Sequence, residues 1–186
     1  MFSLTVDNDL ELRLLTPPDA PALFSLTEAN RDHLRQFLPW LDHVTVEADS
    51  LSFIERCLRE FADGHTVATG IWHCQQLVGT LSLQHIEPRP ARAQVGYWIA
   101  EEAQGQGLVT RGCETLLDYG FQHLDLHRIE ILCATCNPKS NAIPQHLGFT
   151  HEATLREWAI HYGERRDMEL YAMLCHQWTA PHAGPH

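Results

Sequence analysis

The sequence predicts a single α/β or α+β domain, with a mixed central sheet of about seven strands flanked by about four helices. Three observations predict it. The apolar period is helical from Ala22 to Phe61, then switches to two from Thr66 to Ile99, which reads as a three-strand antiparallel meander. A glycine-rich stretch, Gln104 to Thr110, joins the last of these strands to a long amphipathic helical pattern beginning near Val109. One more strand, a short helix and a final hairpin complete the order.

Leu10, Leu12 and Leu14 alternate with Glu11 and Arg13, giving the first strand. Pro17-Pro18-Asp19 ends it, and Asp19 is placed to cap a helix whose apolar face is Ala22, Leu23, Leu26 and Ala29. A short helical stretch from Asp32 to Leu38 stops at Pro39-Trp40, and another helix carries Leu51, Ile54, Leu58 and Phe61. Leu34, Phe37, Leu38, Trp40 and Leu41 make an unusually apolar connection, which serves either core packing or a pocket wall.

Thr66–Trp72 and Leu77–Ile86 read as strands joined by a turn at Cys74-Gln75-Gln76, and Ala93–Ile99 is the third member of the meander. The long helix presents Val109, Cys113, Leu116, Leu117, Gly120 and Leu124 on one face. Ile129, Ile131 and Cys133 define the next strand, which ends at Asn137-Pro138. A short helix then runs from Ser140 towards His146, with Pro144 expected to end it early. The last strands, Phe149–Trp158 and Arg166–Cys175, flank a turn at Tyr162-Gly163.

At 186 residues one domain, spanning 1–178, is expected, and the Pro- and His-rich tail 179–186 is expected to be disordered. Charge is strongly acidic: 24 Asp and Glu stand against 13 Lys and Arg, a formal −11. With no basic block to displace counterions, a nucleic-acid or anionic-membrane surface is disfavoured, and a basic peptide or protein is easier to accept. Six cysteines scattered through regular segments, with no basic-then-apolar leader, predict reduced thiols in a cytoplasmic protein. No apolar run approaches the roughly 20 residues of a membrane span.

Two glycines at a strand-to-helix junction leave backbone N–H groups unpaired and convergent, a setting that receives phosphate. An ordinary glycine-rich connection is the plain alternative. The dinucleotide fingerprint fits poorly, because Thr110 stands where its third glycine belongs and an antiparallel meander precedes it. A Walker loop is absent, since no Gly-Lys-Ser or Gly-Lys-Thr occurs. Cys133 and Cys136, three apart on a strand, point to opposite faces and read as packed thiols rather than metal ligands. His123 and His127 lack the glutamate of a metalloprotease helix and suit a solvated helix end. If the strands preceding Gln104 and Asn137 are parallel neighbours, both motifs reach one edge of the sheet, where a ligand enters between strand ends.

Gly96-Tyr97-Trp98-Ile99, Gln104-Gly105-Gln106-Gly107, Asn137-Pro138-Lys139-Ser140-Asn141, Gly148-Phe149, and Asp167 with Tyr171 together resemble the GNAT acyltransferase superfamily. Within it the resemblance is to the RimL/RimJ type of ribosomal-protein N-terminal acetyltransferase, and it spans Leu10 to Cys175. The resemblance implies a sheet split in a V with acetyl-CoA in the cleft and no metal. The pantetheine would run beside Tyr97, Trp98 and Ile99, and the diphosphate would lie on the N–H groups of Gln104, Gly105, Gln106, Gly107, Leu108, Val109 and Thr110. Asn137 and Asn141 would add contacts to the cofactor, and Ser140 would protonate the departing thiolate. Phe37, Leu38, Trp40 and Trp158 would line the acceptor side. The resemblance also implies a homodimer.

Direct attack of an amine on a thioester needs no enzyme nucleophile, so the lack of a Ser-His-Asp constellation is consistent with this chemistry. The general base departs from the family pattern: Gln94 and Ala159 stand where carboxylates are usual, and Glu157 is the candidate substitute. A lysine amine titrates near 10.4 and an α-amine near 7.7–8.0, so neutralising lysine at pH 7 costs more than about 4 kcal/mol. A site with a weak base therefore favours an α-amine, such as a protein N-terminus. A small amine, polyamine or amino acid, or a non-catalytic CoA sensor, is the alternative.

Overall fold

The computed structural model describes residues 2–179; the tail expected to be disordered lies, from residue 180 on, outside the described residues. The alternating leucines form β2 (Leu10–Leu14), which pairs on one side with a short strand β1 (Ser3–Thr5) and on the other with β3 (Val67–His73). Between β2 and β3 lie α1 (Ala20–Ala29), α2 (Arg31–Leu34) and α3 (Glu47–Ala62). The meander continues through β4 (Gln76–Glu87) and β5 (Arg92–Ile99), all antiparallel. Then come α4 (Leu108–Gln122), β6 (Arg128–Ala134), α5 (Pro138–His146), and the hairpin of β7 (Thr150–His161) and β8 (Glu164–Leu174). One sheet holds all eight strands in the order β1-β2-β3-β4-β5-β6-β8-β7.

The expected seven strands and four helices become eight and five. The additional strand is β1, whose Ser3-Leu4-Thr5 is too short to show a period by itself and gains its hydrogen bonds only from β2. Among the described residues the fifth helix is the short stretch expected from Asp32 to Leu38, which forms only as the four-residue α2, directly after Asn30.

Val67 to Ile71 are buried without alternation, because β3 is covered on both faces. On one face α4 lays down Leu108, Cys113, Leu116 and Leu117 against Leu12, Leu81, Leu83 and Ile129. A smaller cluster, Leu15, Ala20, Leu23 and Ile54, belongs to α1, α3 and the end of β2. The turn between β3 and β4 holds Cys74 and Gln75 at φ 49° and 66°, the left-handed pair that a two-residue turn needs to match strand twist. Among the described residues no helix is long and apolar enough to cross a membrane.

The feature that positions the site is the one parallel pairing in the sheet. β5 and β6 run together only from Arg92 opposite Arg128 to Val95 opposite Ile131. Beyond that point β5 stays with β4 as far as Ile99, and β6 stays with β8 as far as Ala134. The two halves of the sheet part there, as the V-shaped split requires.

Leu83 is fully buried at the centre of the sheet, beneath α4. Leu83→Ala should lower unfolding free energy by about 2–5 kcal/mol, read as a reduced urea midpoint with an unchanged m-value.

Candidate active site

The mouth of the V is bounded by the C-terminal ends of β5 and β6 and by the N-termini of α4 and α5. Gly105 and Gly107 have φ of 73° and 71°, values that side chains disfavour, and a Cβ at either position would point into open space. Gly107 is also the N-cap of α4. Among the described residues, none of the backbone N–H groups from Gly105 to Thr110 has a protein acceptor. Six donors at the positive end of a 15-residue helix could hold an anion such as a diphosphate. The Gln104 side chain holds this loop from both sides: its amide meets His33 Nε2 at 2.7 Å, and its carbonyl accepts from Lys139 Nζ at 2.7 Å. A cleft of about 440 Å³ opens beside it, lined by Gly107, Thr110 and Arg111 of the α4 side and Ala142, Ile143 and His146 of α5.

Across the V, the first turn of α5 is fixed by its own sequence. Pro138 occupies the position where a missing N–H costs nothing, and Asn137 Oδ1 accepts from the Ser140 N–H at 3.1 Å. Pro144 does not end the helix early, contrary to expectation; α5 continues to His146. Lacking an N–H, Pro144 leaves the carbonyl of Ser140 without its intrahelical donor. The Tyr97 hydroxyl supplies one, donating to Ser140 O at 3.1 Å from the far arm of the V. The same hydroxyl lies 3.2 Å from Ser140 Oγ, and Ser140 Oγ donates to Cys133 Sγ at 3.2 Å. Burial, reinforced by Cys133 and Cys113, pushes the Tyr97 phenol far up, so it remains a neutral donor. Burial likewise raises the Cys133 thiol, which packs as a neutral group under Ser140.

Of the expected cofactor residues, Gly107 and Thr110 line the 440 Å³ cleft, and Tyr97, Gly105 and Asn137, with the expected catalytic Ser140, border the mouth. Leu108 and Val109 are buried, their side chains turned into the core and their N–H groups left free. That arrangement removes the crowding a branched residue at position 109 would otherwise bring. Trp98 belongs with the second hydrophobic cluster, whereas Ile99 packs against the main core. Asn141 is engaged within the protein. Its amide donates to Ala134 O and Asn137 O at 2.9 and 2.8 Å, and its carbonyl accepts from Tyr171 at 3.1 Å, which locks α5 to β6 and β8.

On the side where the resemblance places the acceptor, a second cleft of about 550 Å³ lies between α2 with the segment after it and the overhanging end of the β7–β8 hairpin. Phe37 lines it; Leu38, Trp40 and Trp158 are not among its lining residues. Glu157 sits in a bulge, at φ 54°, where Leu155 opposes Met168 and Ala159 opposes Arg166. This bulge breaks the simple alternation assumed between Glu157 and Ala159. The Glu157 N–H donates to Asp167 Oδ1 at 2.7 Å, and its carboxylate is 71% exposed, 3.7 Å from Arg165. Asp167 O in turn accepts from Thr135 N–H, so Glu157 lies level with the end of β6.

The contacts within the Tyr97–Ser140–Cys133 cluster have no signal in the sequence, because its members come from three elements. The Gln104 clamp and the lining of the acceptor cleft were equally hidden. Cys133 is packed in the core as expected, but Cys136 is not: it lies beyond the end of β6, in the turn before Asn137, and is exposed. Asp9, His73 and Cys74 bring ligand atoms within 4.8 Å of one another, and the Asp9 carboxylate already binds His73 and Arg111.

A string of free amides facing a serine across a split sheet defines a CoA-dependent acyltransferase, and residues 9–150 match the acetyltransferase (GNAT) domain model. The chain belongs to the GNAT acetyltransferase family, for which acetyl-CoA is the co-substrate. It is 32% identical over 180 residues to the putative ribosomal N-acetyltransferase YdaF of Bacillus subtilis (strain 168), covering 96% of this chain and 98% of that one. It is 28% identical over 172 residues to the ribosomal-protein-serine acetyltransferase of Escherichia coli (strain K12), covering 92% and 96%. Among solved structures, the ribosomal L7/L12 α-N-protein acetyltransferase RimL in complex with coenzyme A superposes with a TM-score of 0.90 at 28% identity, over 93% of this chain and 98% of that one.

His161 lines the acceptor cleft and is 5% exposed. Burial, with Arg166 adding to it, lowers its pKa from the ordinary 6.5. As pH falls through about 6.5 the unfolded chain takes up a proton that folded His161 refuses, so stability should decline there. Thermal melts between pH 7.5 and 5 should show a smaller decline for His161→Gln than for the parent.

Proposed function

We propose that this acetyltransferase transfers the acetyl group of acetyl-CoA to the N-terminal α-amine of a protein, with a ribosomal protein as the first acceptor to test. The observation that carries the reading is the pairing of the free N–H groups from Gly105 to Thr110 with a serine fixed across the V. The first suits the diphosphate of CoA, and the second suits its thioester end. The names of the YdaF and RimL relatives supply the acceptor class.

In this reading the pantetheine follows β5 at Tyr97, and residues 1–178 act as one catalytic unit. The amine nitrogen attacks the thioester carbonyl carbon, and the carbon–sulfur bond breaks. Ser140 Oγ gives its proton to the departing thiolate, while the proton lost by the amine passes to Glu157 at the mouth of the hairpin. An exposed carboxylate is a weak base, which is adequate for an α-amine and poor for a lysine. Trp158 and Ile160 of β7 and Tyr162 in the turn after it, 63%, 62% and 50% exposed, offer an apolar strip for a second copy, in keeping with a homodimer. The cytoplasm is the compartment in which such a protein would meet both substrates.

Thiol release from acetyl-CoA with a panel of peptides, lysine-blocked peptides and polyamines tests the reading. Peptides with a free N-terminus should be turned over and N-acetylated peptides should not. Acetylation of polyamines alone would transfer the enzyme to the small-amine class, and CoA binding without turnover would mark a sensor. Ser140→Ala should lower kcat by about 100-fold or more while leaving the Kd for CoA within about twofold, as isothermal titration would show. Gly107→Ala, forced into the left-handed region, should cost about 1–2 kcal/mol of stability and weaken CoA binding.

A further inference from the structure

The acceptor cleft carries charges that acetyl transfer itself does not use. Asp32, Arg35, Gln36, Phe37, Cys136, His161, Tyr162 and Arg166 line it. Arg35 is spent: its Nε and Nη2 hold Asp42 at 2.7 and 3.1 Å, and its guanidinium lies against the Tyr162 ring. Arg166 is different. Its Nη1 donates to the carbonyl of Gln36 at 3.0 Å and approaches Cys136 Sγ at 3.7 Å, and among the described residues no carboxylate pairs with it. Asp32, exposed on α2, likewise has no ion-pair partner among them.

The wall that holds Arg166 is built rather than incidental. The Gln36 carbonyl accepts from Arg166 and also meets His161 Nε2 at 2.8 Å. A carbonyl only accepts, so Nε2 carries the proton and Nδ1 is left with a lone pair. That Nδ1 is buried and has no partner, an orphaned acceptor in the cleft wall. The wall also adjoins the chemistry. Cys136 immediately precedes Asn137, which caps the turn bearing Ser140, and Asp167, the neighbour of Arg166, accepts from Thr135 at the end of β6.

An unpaired guanidinium in a cleft beside the turn that bears Ser140 matches an acceptor that presents a carboxylate close to its reacting amine. We propose that the cleft receives the residue following the acceptor amine, and that Arg166 is a specificity-determining residue that recognises a carboxylate there. The inference rests on the N-terminal acetylation reading for the identity of the acceptor, but carboxylate recognition can be measured without turnover. Arg166 keeps its Nη2 and Nε free for the two-pronged contact a carboxylate prefers. The overall charge of −11 steers the body of a basic partner, whereas Arg166 reads one side chain next to the reacting end.

Three amidated peptides, identical except for Glu, Gln or Lys at the second position, test the proposal on the full chain loaded with CoA. Titration calorimetry should rank binding Glu over Gln over Lys, with Glu about tenfold ahead of Gln. Arg166→Gln should abolish the Glu-over-Gln ratio, and Arg166→Lys should restore part of it. An unchanged CoA affinity and Tm in both variants would show that the hairpin is intact. Equal binding of the Glu and Gln peptides by the parent, or a preference that survives Arg166→Gln, overturns the proposal. Turnover of the same peptides is read separately. Carboxylate-selective binding with no acetylation would leave the subsite standing and remove the acetylation reading, whereas acetylation indifferent to the second residue would do the reverse.

Discussion

The parting of β5 from β6 is the constraint on which the rest of this structure depends. Parallel neighbours need a crossover, and α4 provides it. Because the crossover begins at the C-terminal end of β5, the N-terminus of α4 is delivered to the same edge where β6 hands over to α5. Had the two strands stayed paired beyond Val95 and Ile131, their own hydrogen bonds would have closed the space now spanned by Tyr97. Splaying removes those bonds and leaves a gap into which a phenol from one arm reaches the helix of the other.

That reach also explains the proline inside α5. A proline in a helix ordinarily exposes an unsatisfied carbonyl, and here the exposed carbonyl belongs to Ser140. Tyr97 takes it up, so the residue that breaks the helix ladder creates the acceptor that ties both arms of the V together. The hydroxyl of Ser140 is thereby oriented by three elements at once, namely its own helix cap, β5 and β6. In the proposed reaction such orientation would help a weak acid act on a leaving group, because the cost of positioning is met on folding.

Charge is partitioned along the same line. The acidic excess is distributed over the surface, while free backbone amides face the cofactor side and arginines occur in the wall of the acceptor cleft. The two clefts have different linings, Gly107, Thr110, Arg111, Ala142, Ile143 and His146 in one and Asp32, Arg35, Phe37, His161 and Arg166 in the other, and share no residue. The buried cysteine beneath Ser140 contributes shape and a soft acceptor rather than a second nucleophile, since burial keeps its thiol protonated.

Much of this was legible in the sequence by itself. The period change at Thr66, the alternation in Leu10–Leu14 and the glycines at 105 and 107 depend on local physics, namely side-chain direction, burial on one face and left-handed backbone. They set the meander, the crossover and the amide cradle. Tertiary structure alone decided what spans the V. Nothing near Pro144 signals that Tyr97 will supply its missing bond, and the fully engaged side chain of Asn141 reads locally like that of Ser140. The exposed bulge at Glu157 and the unpaired guanidinium of Arg166 were hidden for the same reason. Each is defined by partners or vacant donors contributed by segments far away in the chain, which a one-dimensional pattern cannot encode.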